Sequence, residues 1–153
     1  MSKAFDSIHI PTLCKALKRI HIPDKAINLL SYLLSHRTNK VITTLGLTTS
    51  YSVDDGIDQG ETISPLLWKI YYDPLISRIH NEHQGFLSGI PSSSINGIHT
   101  SVMAYMDDSL WIAPNKTSLI NILHTASSFY KFANIKVNPF KSILVTNSSD
   151  PNN

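Results

Sequence analysis

The sequence predicts an α+β fold, with an antiparallel β-sheet and helices packed on one face. Three observations lead there. Apolar residues recur at helical spacing in several separate stretches. Strand-forming runs come in pairs, with turn residues between them. The order along the chain is helices, a strand pair, a helix, a hairpin, a helix and a final strand pair, which suits antiparallel pairing. The 153 residues suit one domain or one lobe of something larger, and the apolar fraction of 42% is ordinary for a globular core.

Each element has its own signal. Residues 11–20 read as a short helix with Leu13, Leu17 and Ile20 on one side. Pro23 opens a second helix in its first turn, where its missing amide costs nothing; Ile27, Leu30, Leu33 and Leu34 form the stripe. From Lys40 to Val53 the runs KVITTLGL and TTSYSV are strand formers flanking a turn, followed by the glycine-bearing loop DDGIDQGE. Ser64-Pro65 is a helix start, serine capping and proline fitting the first helical position. Its stripe runs through Leu66, Leu67, Ile70, Tyr71, Leu75, Ile76 and Ile79, with Pro74 expected to kink or divide it.

Residues 83–97 read as loop, and IHTSVMAYMDDSLWIA as two strand-like runs around a pair of aspartates. Residues 117–134 form an amphipathic helix through Leu119, Ile122, Leu123, Ala126, Phe129, Tyr130 and Ala133. IKVNPFKSILVTN closes the chain as strand, turn and strand.

Composition narrows the function classes. No run approaches the roughly 18 apolar residues of a membrane span. The N-terminus has no apolar signal region, so an intracellular location, nuclear or cytoplasmic, is expected rather than secretion. On that expectation the glycosylation-like matches at Asn115 and Asn147 are chance. The single Cys14 allows no internal disulfide. Net charge is +2 but uneven: residues 1–40 hold seven basic and two acidic side chains, net +5, while residues 41–61 hold only Asp54, Asp55, Asp58 and Glu61. A basic end beside an acidic centre suits a polyanion held next to a cation, or equally a solvated basic helix face.

The chemistry concentrates in AYMDDSLWIA, residues 104–113. Carboxylates in an apolar run are costly unless something positive neutralises them. With the hairpin turn at Met106-Asp107, Asp107 and Asp108 sit together at the tip. A divalent cation is one natural partner, since Mg²⁺ takes one or two carboxylates plus waters and substrate phosphates. On this short stretch alone, plain turn chemistry is the better account of an Asp-Asp pair, because short motifs match by chance. His80 and His83 in HNEH lie one turn apart if helical, but no nearby cysteine or further histidine completes a zinc set.

Four blocks together carry a resemblance: KAFDSI at 3–8, GIDQGETISPLLW at 56–68, YMDD at 105–108 and NPFKS at 138–142. In this order and spacing they resemble the palm of reverse transcriptases, RNA-directed DNA polymerases, especially those of non-LTR retrotransposons. The resemblance implies a polymerase palm. It also implies Mg²⁺, two ions in the complete enzyme, about 3.5–4 Å apart, held by Asp107 and Asp108, with Asp107 the likelier bridging ligand. The reaction joins a primer 3′-hydroxyl to the α-phosphate of a nucleotide; the partners are an RNA template, a DNA primer and a dNTP. Phe5 matches the aromatic beside the nucleotide sugar, where a ring excludes a ribose 2′-hydroxyl; a core role is the alternative. Gln59 and Gly60 match the block that contacts template and nucleotide. Lys141 matches a lysine near the nucleotide phosphates, or is surface filler. Asp58 and Glu61 depart from the pattern by placing acid where relatives often carry a basic residue.

The resemblance also implies an aspartate four residues before the Ala4-Phe5 pair, a position that falls before Met1. Residues 1–153 are therefore expected to be a partial reverse transcriptase domain, a truncated palm with the fingers mostly absent and the thumb absent. Such a fragment is expected to be inactive alone. The alternative function is a non-catalytic nucleic-acid-binding remnant, or a domesticated palm fragment.

Overall fold

The computed structural model describes residues 4–88 and 97–147. The chain divides into two units, one ending at Pro74 and the other beginning at Leu75. Helices alternate with short antiparallel ladders, so the fold is α+β.

In the first unit a single 3-10 turn, Phe5–Ser7, leads into α1 (Ile10–Arg19). Pro11 sits in the first turn of α1, and Ile10, Leu13, Ala16 and Leu17 are its buried face. Ile20 lies past the end of the helix and is partly exposed, so Ile10 takes the place on the buried face that spacing had given to Ile20. His21 adopts a left-handed φ of 62°, and the Ile22 amide bonds back to the Leu17 carbonyl, closing the helix. α2 (Asp24–Ser35) starts one residue later than expected: Pro23 stands at the cap, its carbonyl accepting from Ala26 and Ile27. α2 packs beside α1 and buries Ile27, whereas Leu33 of the expected stripe is exposed, as are Leu29 and Tyr32. Spacing says which residues share a face, but not how much neighbouring chain exists to cover it.

The strand formers make one long hairpin in two ladders. β1 (Arg37–Asn39) pairs with β4 (Tyr51–Val53), and β2 (Ile42–Thr43) pairs with β3 (Gly46–Leu47). The turn lies inside the first strand-forming run, at Thr44-Leu45, rather than between the two runs. Thr43 fixes it: its hydroxyl donates to the Gly46 carbonyl and accepts from the Leu45 amide, and Gly46 supplies a φ of 110°.

α3 (Ser64–Glu82) takes its first helical bonds on the Ile63 carbonyl, so Ser64 is the first helical residue and not the cap. The expected break at Pro74 is absent; the helix runs through it. Proline inside a helix costs about 3 kcal/mol. Each fully buried large side chain contributes about 1.5–3 kcal/mol, and Trp68, Tyr71, Tyr72, Leu75 and Ile79 are all at most 2% exposed.

In the second unit, β5 (Phe86–Ser88) pairs with β6 (Ile98–Thr100), which corrects the reading of 83–97 as loop. The rest of that reading, residues 89–96, lies outside the described residues. β7 (Val102–Tyr105) and β8 (Asp108–Trp111) form the aspartate hairpin. α4 (Lys116–Phe132) matches its expected stripe with Ile122 and Ala126 buried, and Ala133 buried just beyond its end; Leu123 is partly exposed. Its cap is Asn115, whose side chain accepts from the Ser118 amide at 2.8 Å.

The closing strand pair does not form. Asn138 accepts from the Phe140 amide and Pro139 has no amide to give a ladder, so Pro139–Lys141 is a 3-10 turn, and Ile143, Leu144 and Val145 follow exposed. The described strands make four two-stranded antiparallel ladders rather than a single sheet, because each strand takes its partner locally. Among the described residues no helix is long and apolar enough to cross a membrane.

Candidate active site

The tip of the β7–β8 hairpin is a two-residue turn. Tyr105 pairs with Asp108, leaving Met106 and Asp107 as the loop, where the sequence put them. Met106 has a left-handed φ of 52° and Asp107 does not, the sign pattern of a type II′ turn, in which glycine is the usual first residue. A methionine there is held against its own preference, and strained residues gather at functional sites. Asp107 is half-buried and Asp108 exposed. The pair therefore stands at the end of a rigid ladder, with carboxylates on consecutive positions.

The base of the hairpin is tied down within its own unit. The buried Ser101 hydroxyl donates to the His83 carbonyl at 3.2 Å, and the Ile112 amide extends the ladder to the Ser101 carbonyl. His83 Nε2 lies 2.8 Å from the Thr125 hydroxyl. The same hydroxyl lies 3.2 Å from the Asn121 carbonyl. His83 thus links the end of α3 to α4. Among the described residues no group of three histidine, cysteine or acidic side chains could hold a metal.

Lys141 is exposed in the turn after α4. It belongs to the same unit as Asp107 and Asp108; Phe5, Gln59 and Gly60 belong to the other.

In the first unit, two of the sequence blocks meet through their backbones. The Gly56 amide donates to the Ile8 carbonyl at 2.7 Å, and the Ile57 amide to the Phe5 carbonyl at 3.0 Å. Gly56 has a φ of 83°, and a Cβ there would meet Asp6 Cα at 3.1 Å and the Asp6 and Phe5 carbonyl oxygens at 3.2 Å. Only glycine fits without displacing the turn that carries Phe5. Phe5 itself is half-buried, its ring 6.0 Å from that of Trp68 in a tilted contact. Gln59 and Gly60 lie exposed at the end of the loop, Gly60 with a φ of 98°.

Two residues that the sequence did not single out as site residues, Asp55 and Arg37, hold this loop. Asp55 Oδ1 accepts from the Ile10 amide, an acid at the positive end of α1. Arg37 donates through Nε to the Leu34 carbonyl at 2.8 Å. Its Nη2 donates to the Asp55 and Gly56 carbonyls at 3.1 and 2.7 Å, and its Nη1 lies 2.8 Å from Asp58 Oδ1. Below the loop, burial raises the Tyr71 phenol above its ordinary range. The bond to the His9 backbone pulls the other way, and the Asp55 charge adds a further upward push. Arg37 was legible only as one of seven basic residues; its place between the second helical stripe and the strand formers that begin at Lys40 was the available signal.

Residues 1–151 match the family described as reverse transcriptase (RNA-dependent DNA polymerase). The chain belongs to this family. Two Pol polyproteins of the beetle Popillia japonica, each named as retrovirus-related and from type-1 retrotransposable element R2, are similar to it. One is 24% identical over 144 residues and the other 27% over 145, each alignment covering 94% of this chain. The chain spans 23% and 20% of the length of these two relatives, so a reverse transcriptase segment rather than a whole polyprotein is compared. The four blocks singled out in this sequence fall on the Phe5 turn, the glycine loop with the start of α3, the β7–β8 hairpin and the Pro139–Lys141 turn.

Proposed function

We propose that this chain is palm-type machinery for RNA-directed DNA synthesis: transfer of a nucleotide from a dNTP to the 3′-hydroxyl of a DNA primer paired with an RNA template. The observation that carries the proposal is the tight turn at Met106-Asp107, with Asp107 and Asp108 at the tip of an antiparallel hairpin in a reverse transcriptase family member.

The donor chemistry fits a hard divalent cation such as Mg²⁺, which takes carboxylate oxygens and fills its remaining positions with water and substrate phosphates. Asp107 and Asp108 are the residues that would hold it. When bound, the two ions of the complete enzyme supply charge neutralisation at the attacking oxygen and at the leaving pyrophosphate.

The chain's own residues do the remaining work. Phe5, propped by Trp68, presents a ring against the sugar and excludes a 2′-hydroxyl. Gly60 lets the template or nucleotide approach the backbone, and Gln59 offers an amide to it. Lys141, at the end of a turn, reaches toward phosphate. Catalysis of this kind is positioning and electrostatics rather than covalent chemistry.

Among the described residues no third histidine, cysteine or acidic side chain joins Asp107 and Asp108 in a metal-holding group. The net +5 of residues 1–40 favours a second, coarser role for this chain alone: binding nucleic acid without turnover. One experiment separates the readings. The purified chain is mixed with a labelled RNA–DNA primer–template, and affinity is followed by anisotropy against salt, Mg²⁺ and dNTP. The polymerase reading expects salt-dependent binding, further tightened by dNTP only when Mg²⁺ is present, and loss of that tightening in Asp107→Asn. Salt-dependent binding indifferent to both dNTP and Mg²⁺ leaves the nucleic-acid-binding role, and no binding at all overturns both.

A further inference from the structure

We infer that Arg37 is a positioning residue for the loop that presents Gln59 and Gly60, and that its pairing with Asp58 keeps that acid from repelling a bound nucleic acid. The second half rests on the nucleic-acid reading proposed above.

The geometry is unusual for a surface arginine. Its side chain is only 14% exposed, although its partner Asp58 is 40% exposed. The guanidinium is a rigid fork, and here its donors span four acceptors: the Leu34 carbonyl at the end of α2, the Asp55 and Gly56 carbonyls, and the Asp58 carboxylate. The two loop carbonyls belong to residues that are themselves fastened on their other side. Asp55 holds the Ile10 amide through its side chain, and the Gly56 amide donates to Ile8. Arg37 therefore clamps the loop by its carbonyls, while the loop amides hold it to the Phe5 turn. With Gly56 bonded through both its amide and its carbonyl, the exposed Gln59 and Gly60 stand three and four residues from a doubly anchored point.

Charge gives the second half of the inference. Asp54, Asp55, Asp58 and Glu61 make the segment that would face a polyanion acidic. Two of these charges are already engaged: Asp55 by the α1 N-terminus and Asp58 by Arg37. Lysine in place of Arg37 keeps the charge but cannot reach several fixed acceptors at once.

The test uses the whole chain and two readouts. The first is backbone amide exchange. Arg37→Ala is expected to speed exchange at the Gly56 and Ile57 amides by about tenfold or more, the scale of a lost charge-assisted hydrogen bond, while amides of buried α1 residues such as Leu17 stay within about twofold. Arg37→Lys is expected to leave this exchange fast. The second readout is affinity for a short RNA–DNA hybrid at low salt. Arg37→Ala is expected to weaken it by about tenfold, and Asp58→Asn added to Arg37→Ala is expected to recover part of the loss, as a released carboxylate requires. Exchange at Gly56 and Ile57 unchanged, or raised only in step with Leu17, overturns the clamp. Affinity unchanged in Arg37→Ala while the wild type binds overturns the charge role. No hybrid binding by the wild type overturns both the nucleic-acid reading and the charge role, while the exchange arm still decides the clamp.

Discussion

The Gly56 amide reaches the Ile8 carbonyl at 2.7 Å, joining two stretches of sequence some fifty residues apart. That bond brings the glycine loop against the turn carrying Phe5. A side chain at Gly56 would strike the backbone of Asp6 and Phe5, and its φ of 83° already disfavours any other residue. Gly56→Ala is expected to destabilise the chain by about 2 kcal/mol or more. In a thermal melt that is a fall of about 4–8 °C. An unchanged melt would mean the loop does not pack there.

The turn at Met106 gives an ordering rather than a single number. Glycine tolerates a φ of 52° freely, methionine tolerates it at a cost, and a β-branched residue least of all. Urea midpoints should therefore rank Met106→Gly at or above the wild type, with Met106→Val lowest by about 1–2 kcal/mol. Equal midpoints for glycine and valine would contradict the left-handed turn.

Asn115 caps α4 through the Ser118 amide. Asn115→Ala is expected to lose about 1 kcal/mol in urea unfolding, and Asn115→Asp to lose little, because an aspartate accepts the same bond at the positive end of the helix. The alanine variant unfolding at the wild-type midpoint would remove the cap from the account.

The Tyr71 phenol, raised by burial above 10.0, makes stability depend on alkaline pH. The folded state favours the neutral phenol more than the unfolded state does. Its contribution is therefore complete below the unfolded value and is lost as pH rises toward the folded one. Unfolding free energy measured from pH 8 to 11 should fall above about pH 10 in the wild type, and less steeply in Tyr71→Phe. Parallel profiles would show that another group causes the fall.

Helix order, the glycine loop and the position of the aspartate turn were all readable in the sequence, because each rests on local chemistry: a 3.6-residue stripe, a proline near a helix start, a two-residue turn between apolar runs. Part of what escaped it was settled by contacts at a distance, and part by a local bond. Pro74 reads as a break, yet the helix runs through it between buried Tyr71, Tyr72, Leu75 and Ile79. Asn138 and Pro139 read as a turn between strands, yet Asn138 accepts from the Phe140 amide in a 3-10 turn and the described residues after it, to 147, form no ladder. Arg37 reads as one cation among several, and only the fold shows its guanidinium closing on the loop from 55 to 58. At the candidate site, sequence identified the acidic tip and the glycine loop but not the residues that brace them.

The most direct measurement is manganese-induced broadening of backbone amide signals in the whole chain, with the RNA–DNA primer–template and dNTP present. Mn²⁺ stands in for Mg²⁺ and broadens only nearby nuclei. Broadening is expected to centre on Tyr105 to Ser109 and to vanish when Asp107 and Asp108 are both changed to asparagine. Broadening centred elsewhere, or unaltered in the double variant, would contradict the claim that these two aspartates hold the cation.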